Sequence, residues 1–492
     1  MSALSIEVSV VLTISVPAFG WLIVELLHRE GRKLATISLL FALATLLLAS
    51  YNLLIYFSGE ATSETFTLVS FQNMKIVSFL VDEISVVISF LVVLVGFLIL
   101  MFSTGYMSPK NKEHPIEEGY AWFYAMMLVF MASMVGVIFS YSLVTMAMFY
   151  ELTGLCSCTL IGFYHEKEKP IYSAQKALYL THIGGLFLFL AVAVLYMSAG
   201  SVTFGSLKLL NPFMRTVVVL LITVACWAKS AQIPFYTWLP DAMVAPTPVS
   251  AYLHAAAMVK VGPYLLFRTV QYAAPVRPEA SLVIGIMAIV TMIYALIMYL
   301  PQLDMKRLLA YSTIAQLSYM FLALAFASAG SLDGLRSAMF HVWNHAYAKA
   351  LFFLTAGALS YATGTRFLNS YRGLAEKSKL LALSFTVAAL AISGVPPLNC
   401  FYSKFSIFVA GFSTGALWTD VLTIIAIGES VCCFVVLLHW TTRCVYGRPS
   451  ARVKDMLPLP TGIKVALAVL IVMCFVSAYL FFPIMEQITF RG

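Results

Sequence analysis

The stretch AKSAQIPFYTWLPDAMVAPTPVSAYLHAAAMVKVGPYLL, residues 228–266, sets Lys229 and Lys260 in apolar sequence beside prolines. A second stretch, ISGVPPLNCFYSKFSIF, residues 392–408, does the same with Lys404. A charge at bilayer depth costs about 2.5–3.5 kcal/mol on insertion scales, and the residues that bear it face a protein or water-filled interior. Proline frees backbone carbonyls, which at membrane depth need the same shielding from lipid. Charge and helix break at the same places point to a device that moves ions.

The rest of the chain fits a bilayer. Of 492 residues, 61% are hydrophobic and 11% charged, against about 25% charged in soluble domains. No segment is long or polar enough for a soluble catalytic domain. The net charge of +8 is spread over short loops, so the expected surroundings are lipid and protein, with no nucleic-acid partner. The eight cysteines lie in or at the ends of apolar segments and none forms a CxxC pair. They read as small packed hydrophobes, and neither a metal site nor an iron–sulfur cluster is expected in this chain. MSALSIE lacks a basic n-region, which predicts no cleaved signal peptide.

At roughly 20 apolar residues per crossing, the sequence reads as about fourteen spans. They fall near 7–27, 35–57, 76–104, 119–139, 142–163, 172–198, 213–234, 248–271, 281–300, 308–329, 335–362, 380–413, 421–445 and 462–484. The span 380–413 divides at GVPPLN into two half-helices, and 213–234 ends in a break at Gln232–Pro234. One set of loops is rich in lysine and arginine, among them Arg29, Arg32, Lys33, Lys110, Lys112, Lys377 and Arg452. That set is predicted to be cytoplasmic, which puts both termini outside. The two lysine-bearing breaks lie five spans apart, so equivalent helices run in opposite directions, the pattern of inverted repeats. The expected organisation is N-terminal helices over 1–118, a first repeat over 119–271, a second over 281–445, and a C-terminal loop with the last helix over 446–492.

Glu151 lies well inside a span, followed at helical spacing by Gly154, Cys158 and Gly162, a face that admits a close neighbour. A buried carboxylate needs a cation beside it or becomes neutral. Lys229, five residues before Pro234, is solvated by freed carbonyls, whereas Lys260, before Gly262–Pro263, also fits a snorkelling lysine. His254 and Lys260 are six residues apart and so not on one face. His341, His345 and Lys349 are spaced by four and share one. Imidazole both accepts and donates a proton near neutrality, so this stripe reads as a proton or ion path. Glu25, Asp82, Glu83, Lys176, Asp241 and Glu429 are weaker candidates near ends or loops.

At these residues the chain resembles the antiporter-like subunits of respiratory complex I, Mrp sodium/proton antiporters and membrane-bound hydrogenases. The resemblance rests on residues 228–266, on DMKRLLAYSTIAQLSYM at 304–320, on HVWNHAYAKALFFLTAG at 341–357 and on SGVPPLNCFYSKF at 393–405. It implies an all-α integral membrane fold of fourteen helices with two inverted five-helix repeats and two broken helices. It implies that Glu151 and Lys229 form the paired glutamate and lysine, and that Lys260 with His254 is the central relay. His341 and His345 fall on its histidine-bearing helix, and Lys404 is the second broken-helix residue. Lys404 differs from the glutamate of one complex I paralogue. THIGGLFLF at 181–189 lacks an acidic residue that many complex I relatives carry, and no long amphipathic helix follows the last span. These departures lean toward a hydrogenase-like or Mrp-like assembly in the plasma membrane. The expected function is proton or sodium translocation within a multi-subunit redox complex, as a non-catalytic pumping subunit with iron–sulfur clusters only in its partners. The alternatives are a subunit of an Mrp-type antiporter without a redox partner, or a scaffold with a vestigial path.

Overall fold

The computed structural model describes residues 4–72 and 74–491. In chain order its elements are α1 (Ile6–Leu26), α2 (Lys33–Phe57), a hairpin of β1 (Glu64–Phe71) and β2 (Met74–Val81), α3 (Glu83–Tyr106), α4 (Tyr120–Phe139), α5 (Leu143–Ile161), α6 (Glu168–Ala199) and α7 (Pro212–Lys229). Next come α8 (Trp238–Asp241), α9 (Thr247–Ala255), α10 (Met258–Ala273), α11 (Pro278–Tyr299), α12 (Met305–Ser328) and α13 (Leu332–Thr363). The chain closes with α14 (Leu374–Lys377), α15 (Lys379–Ser393), α16 (Asn399–Phe412), α17 (Leu417–Val445), α18 (Ala451–Lys454) and α19 (Thr461–Met485). Among the described residues, eleven helices are long and apolar enough to cross a membrane. The chain is therefore an α-helical membrane protein. Every residue of α10 and nearly every residue of α12 and α13 is buried, whereas α1, α2 and α6 expose leucine and phenylalanine on their outer sides.

Contacts between loops define two ends of the bundle. At the basic end Asp304 pairs with Arg366 at 2.7 Å and Lys112 donates to the Asp455 carbonyl. At the hairpin end β2 bridges to Ser140, Val276 bonds Ser328, and the Arg491 backbone N–H donates to Gln271. The hairpin corrects the expectation of one helix over 76–104. Residues 74–81 are rich in β-branched and aromatic types, and a short apolar run does not declare its own period. Asp82 then starts α3 through a reciprocal capping box with Ser85, which fixes the strand-to-helix boundary.

The interrupted helices differ from expectation in number. The breaks after Lys229 and between Ser393 and Asn399 are present, the second turned by Gly394 in the left-handed region at φ 81°. A third interruption, at Ala256–Ala257, divides the expected span 248–271 into α9 and α10. Alanine is a strong helix former, so nothing local announces it. Pro263 has no N–H for the Val259 carbonyl four residues earlier. The Ser230 hydroxyl donates to that carbonyl at 2.9 Å, so the end of α7 satisfies what the proline frees. The approach leaves no room for a side chain at residue 262. A Cβ there would meet the Ser230 hydroxyl and lie 2.5 Å from the Cys226 carbonyl. Gly262→Ala should therefore destabilise the fold by about 1–3 kcal/mol, the usual cost of overpacking, read as a lower thermal midpoint in detergent.

Candidate functional site

Seven of the eight expected site residues, all but Glu151, are at most 4% exposed. At one side of the bundle Lys229, the last residue of α7, donates to the Tyr150 carbonyl at 2.7 Å and stands 4.0 Å from the centroid of the Tyr150 ring. Gly154 makes the room, since a Cβ there would lie 3.1 Å from the ammonium. Carbonyl and ring face together replace part of the water that an ammonium loses on burial.

Glu151 does not pair with Lys229. Its carboxylate meets His182 of α6 at 3.1 Å, and its other oxygen is buried without a hydrogen-bond partner. Successive helical residues point about 100° apart. Tyr150 thus faces Lys229 while Glu151 turns toward α6. Gly185 on α6 is needed there, because a Cβ would fall on the Glu151 carboxylate. His182 was not among the expected residues, although it stands one turn before that glycine pair. Contact coupling predicts that Glu151→Gln and His182→Gln should each slow transport and that the double variant should cost less than their sum. Additive losses in vesicle assays would show the two acting independently.

From Lys229 a polar path runs inward through the break. Gln232 donates to the Ser230 carbonyl at 3.0 Å and accepts from Ser318 of α12 at 2.8 Å. Beyond the Ser230–Val259 contact stands Lys260, whose ammonium is 2.6 Å from His345 Nδ1. The interruption at Ala256–Ala257 places Lys260 and His254 on separate half-helices. His254 bonds Thr313 at 3.0 Å and Lys349 donates to Ser312 at 2.9 Å, so these two meet the central site through adjacent residues of α12. His345 and His341 have ring centroids 5.8 Å apart, as their shared face predicts. His341 contacts Gln316 at 3.2 Å and Ser403 at 2.9 Å. The residue after Ser403 is Lys404.

Lys404 bonds Ser430 at 3.1 Å and the Ser393 carbonyl, across the helix break, at 3.5 Å. Its ammonium stands 4.7 Å from the Tyr319 ring, and the Tyr319 hydroxyl donates to Glu429 at 2.6 Å. Glu429 is 2% exposed and lies midway along α17, not near an end as expected; Tyr299 also donates to it, at 3.4 Å. The residues that sequence reading left out are thus His182, Gln232 and the α12 face of Ser312, Gln316 and Tyr319. The last three are spaced by four and three inside an apolar run, a stripe that was visible. Of the weaker candidates, Lys176 and Asp241 pair at 2.8 Å, Glu25 is exposed, and Asp82 is fully buried against Arg268 at 2.6 Å. Among the described residues, no group of three or more His, Cys, Asp or Glu is placed to hold a metal ion.

Residues 140–428 match the family model described as NADH:quinone oxidoreductase/Mrp antiporter, TM, and residues 69–124 match that of the NADH-ubiquinone oxidoreductase (complex I) chain 5 N-terminus. Subunit 5 of the chloroplastic NAD(P)H-quinone oxidoreductase of Adiantum capillus-veneris is 36% identical over 349 residues, 67% of this chain and 46% of that protein. The same subunit of Zygnema circumcarinatum is 36% identical over 347 residues, 66% of this chain and 47% of its own. The aligned part of this chain thus spans about half the length of these curated relatives. A chain of the Mrp complex from Dietzia sp. DQ12-45-1b superposes with TM-score 0.84 and 27% identity, over 98% of this chain and 51% of that one. A chain of the membrane-bound sulfane sulfur reductase, an archaeal respiratory membrane complex, superposes with TM-score 0.83 over 97% of this chain and 96% of its own, and at 24% identity shares the fold.

Proposed function

Since this chain belongs to the NADH:quinone oxidoreductase/Mrp antiporter transmembrane family, we propose that it is the proton- or sodium-translocating subunit of a multi-subunit membrane redox complex, complex I-like or hydrogenase-like, in the plasma membrane. The observation that carries this is the series of buried polar groups placed along the bundle from Lys229 through Lys260, His345 and His341 to Lys404. Groups of this kind gain and lose protons, and their cost at bilayer depth is offset by use. The chain supplies the path, and any iron–sulfur clusters lie in partner subunits. An Mrp-type antiporter without a redox partner is the second reading, favoured by the likeness to the Dietzia chain. Mass spectrometry of the native complex separates the two by whether iron–sulfur subunits co-purify. Ion uptake into vesicles bearing that complex tests translocation itself.

Partners are also called for by the Glu151–His182 pair. The His182 side chain is 53% exposed midway along a helix whose neighbours on that side are apolar. Lipid cannot satisfy an imidazole beside a carboxylate, so another membrane subunit covers this face. The proposed topology counts α13, α9 with α10, and α15 with α16 as crossings beside the eleven long helices, about fourteen in all. Residues 119–271 and 281–445 are the proposed inverted repeats, since α7 approaches Lys229 from the hairpin end while α15 approaches its break from the basic end. The basic end is then cytoplasmic and both termini are outside. A cysteine at Ser450 should be labelled only from the cytoplasmic side; labelling from outside would overturn this orientation. Ser2, the natural second probe, lies outside the described residues.

A further inference from the structure

Lys260, Tyr264 and Arg268 recur at four-residue spacing along one face of the fully buried α10. The face leads from the central site straight to the hairpin end. Lys260 and Tyr264 line a small cavity of about 10 Å³, together with Ala256 at the helix interruption and Ile138. Its other lining residues are apolar, and the volume is about that of one water centre. Toward the hairpin end, the next charged group along α10 is Arg268.

The Tyr264 hydroxyl donates to the Ile138 carbonyl and accepts from Arg268 Nε at 3.0 Å and from Arg268 Nη2 at 2.8 Å. Its proton is committed and both its lone pairs are filled, so it has no acceptor for a proton from the cavity. The guanidinium makes three more bonds: to Asp82 at 2.6 and 2.7 Å, and to Gln271 at 3.0 Å. A guanidinium has five N–H donors, and all are engaged. It does not deprotonate in proteins and so passes no proton on. It also presents the positive end of the cluster to Lys260, with Asp82 beyond it. Arg491 reaches the same carboxylate at 3.1 Å and Glu83 at 3.2 Å, which holds Asp82 in place from the outer side.

We infer that Arg268 is a fixed cationic plug that closes a direct outlet from Lys260 to the hairpin face, so that an ion reaching Lys260 leaves only along the His345–His341–Lys404 route. This rests on the translocation reading above.

The test uses the intact complex in liposomes with an internal pH dye, with no driving reaction. After an imposed pH step, wild type should hold the gradient. Arg268→Gln should dissipate it several-fold faster; Asp82 keeps Arg491 as its partner in that variant. The double variant Asp82→Asn/Arg268→Gln removes both charges and should leak likewise, which covers the case in which the single variant fails to assemble. Adding Lys260→Met to either should restore the wild-type rate, because the leak is routed through that lysine. Assembled variants as tight as wild type would overturn the plug, and so would a leak that persists without Lys260, which marks damaged packing. Driven uptake is measured separately: its absence in wild type, with the Lys260-dependent leak present, would sink the pumping reading and leave the barrier standing.

Discussion

Lys260→Met should lower driven ion translocation by at least about a hundredfold, the low side of what a lost proton-transfer group costs, in a complex that still assembles. Lys260 stands between the two halves of the path. Its ammonium contacts His345 at 2.6 Å, and the preceding residue, Val259, is bonded by Ser230 of the first break. Methionine matches the length of the stem and fills the same space without a charge, so packing is spared. His345→Gln should give a smaller loss, because the amide keeps a hydrogen bond but does not shuttle a proton. The two together should cost less than their sum, as expected for groups in contact. Near-normal uptake by an assembled Lys260→Met complex would remove the central relay from the mechanism.

Lys404→Arg should leave the fold and lose most transport. The side chain is 2% exposed and its surroundings already suit a cation: the Tyr319 ring, the Ser430 hydroxyl and the Ser393 carbonyl. Arginine retains the charge and can use those partners, but it does not release a proton near working pH. The change therefore separates a titrating lysine from a fixed charge that props up the helix break. Assembly is checked first on native gels, since the guanidinium is larger. Translocation close to wild type would assign Lys404 to the structural role and shift terminal proton release toward Glu429.

How much of this was legible in the sequence differs from residue to residue. The lysines showed because charge in an apolar run is rare and costly. The His341–His345 face showed because a helix repeats every 3.6 residues wherever it sits. Helix ends at Pro396–Pro397 and near Pro234 followed from backbone chemistry. The interruption at Ala256–Ala257 did not, because two alanines, both strong helix formers, give no local sign of a break. The partner of Glu151 was misread for a related reason: a sequence shows that a carboxylate needs company, but only side-chain direction selects His182 over Lys229. Asp82 and Glu429 were underrated on position alone. One is paired by Arg268 from 186 residues away and the other by Tyr319 across α12. The hairpin at 64–81 was hidden by hydrophobicity, since strand and buried helix share a composition over so few residues.

The Ser230–Val259 bond has a mechanical side. It splices the last turn of one interrupted helix to the first turn of another, at the level where each lacks its own internal bracing. Bracketed by Gly262 on one side and the Cys226 carbonyl on the other, the splice has no slack. A rotation that swings Lys229 away from Tyr150 must pull on the strand of backbone carrying Lys260, or else break the bond and expose a bare carbonyl. The two lysines are thus geared to each other as levers on one pivot, so that on the translocation reading a movement at one is felt at the other.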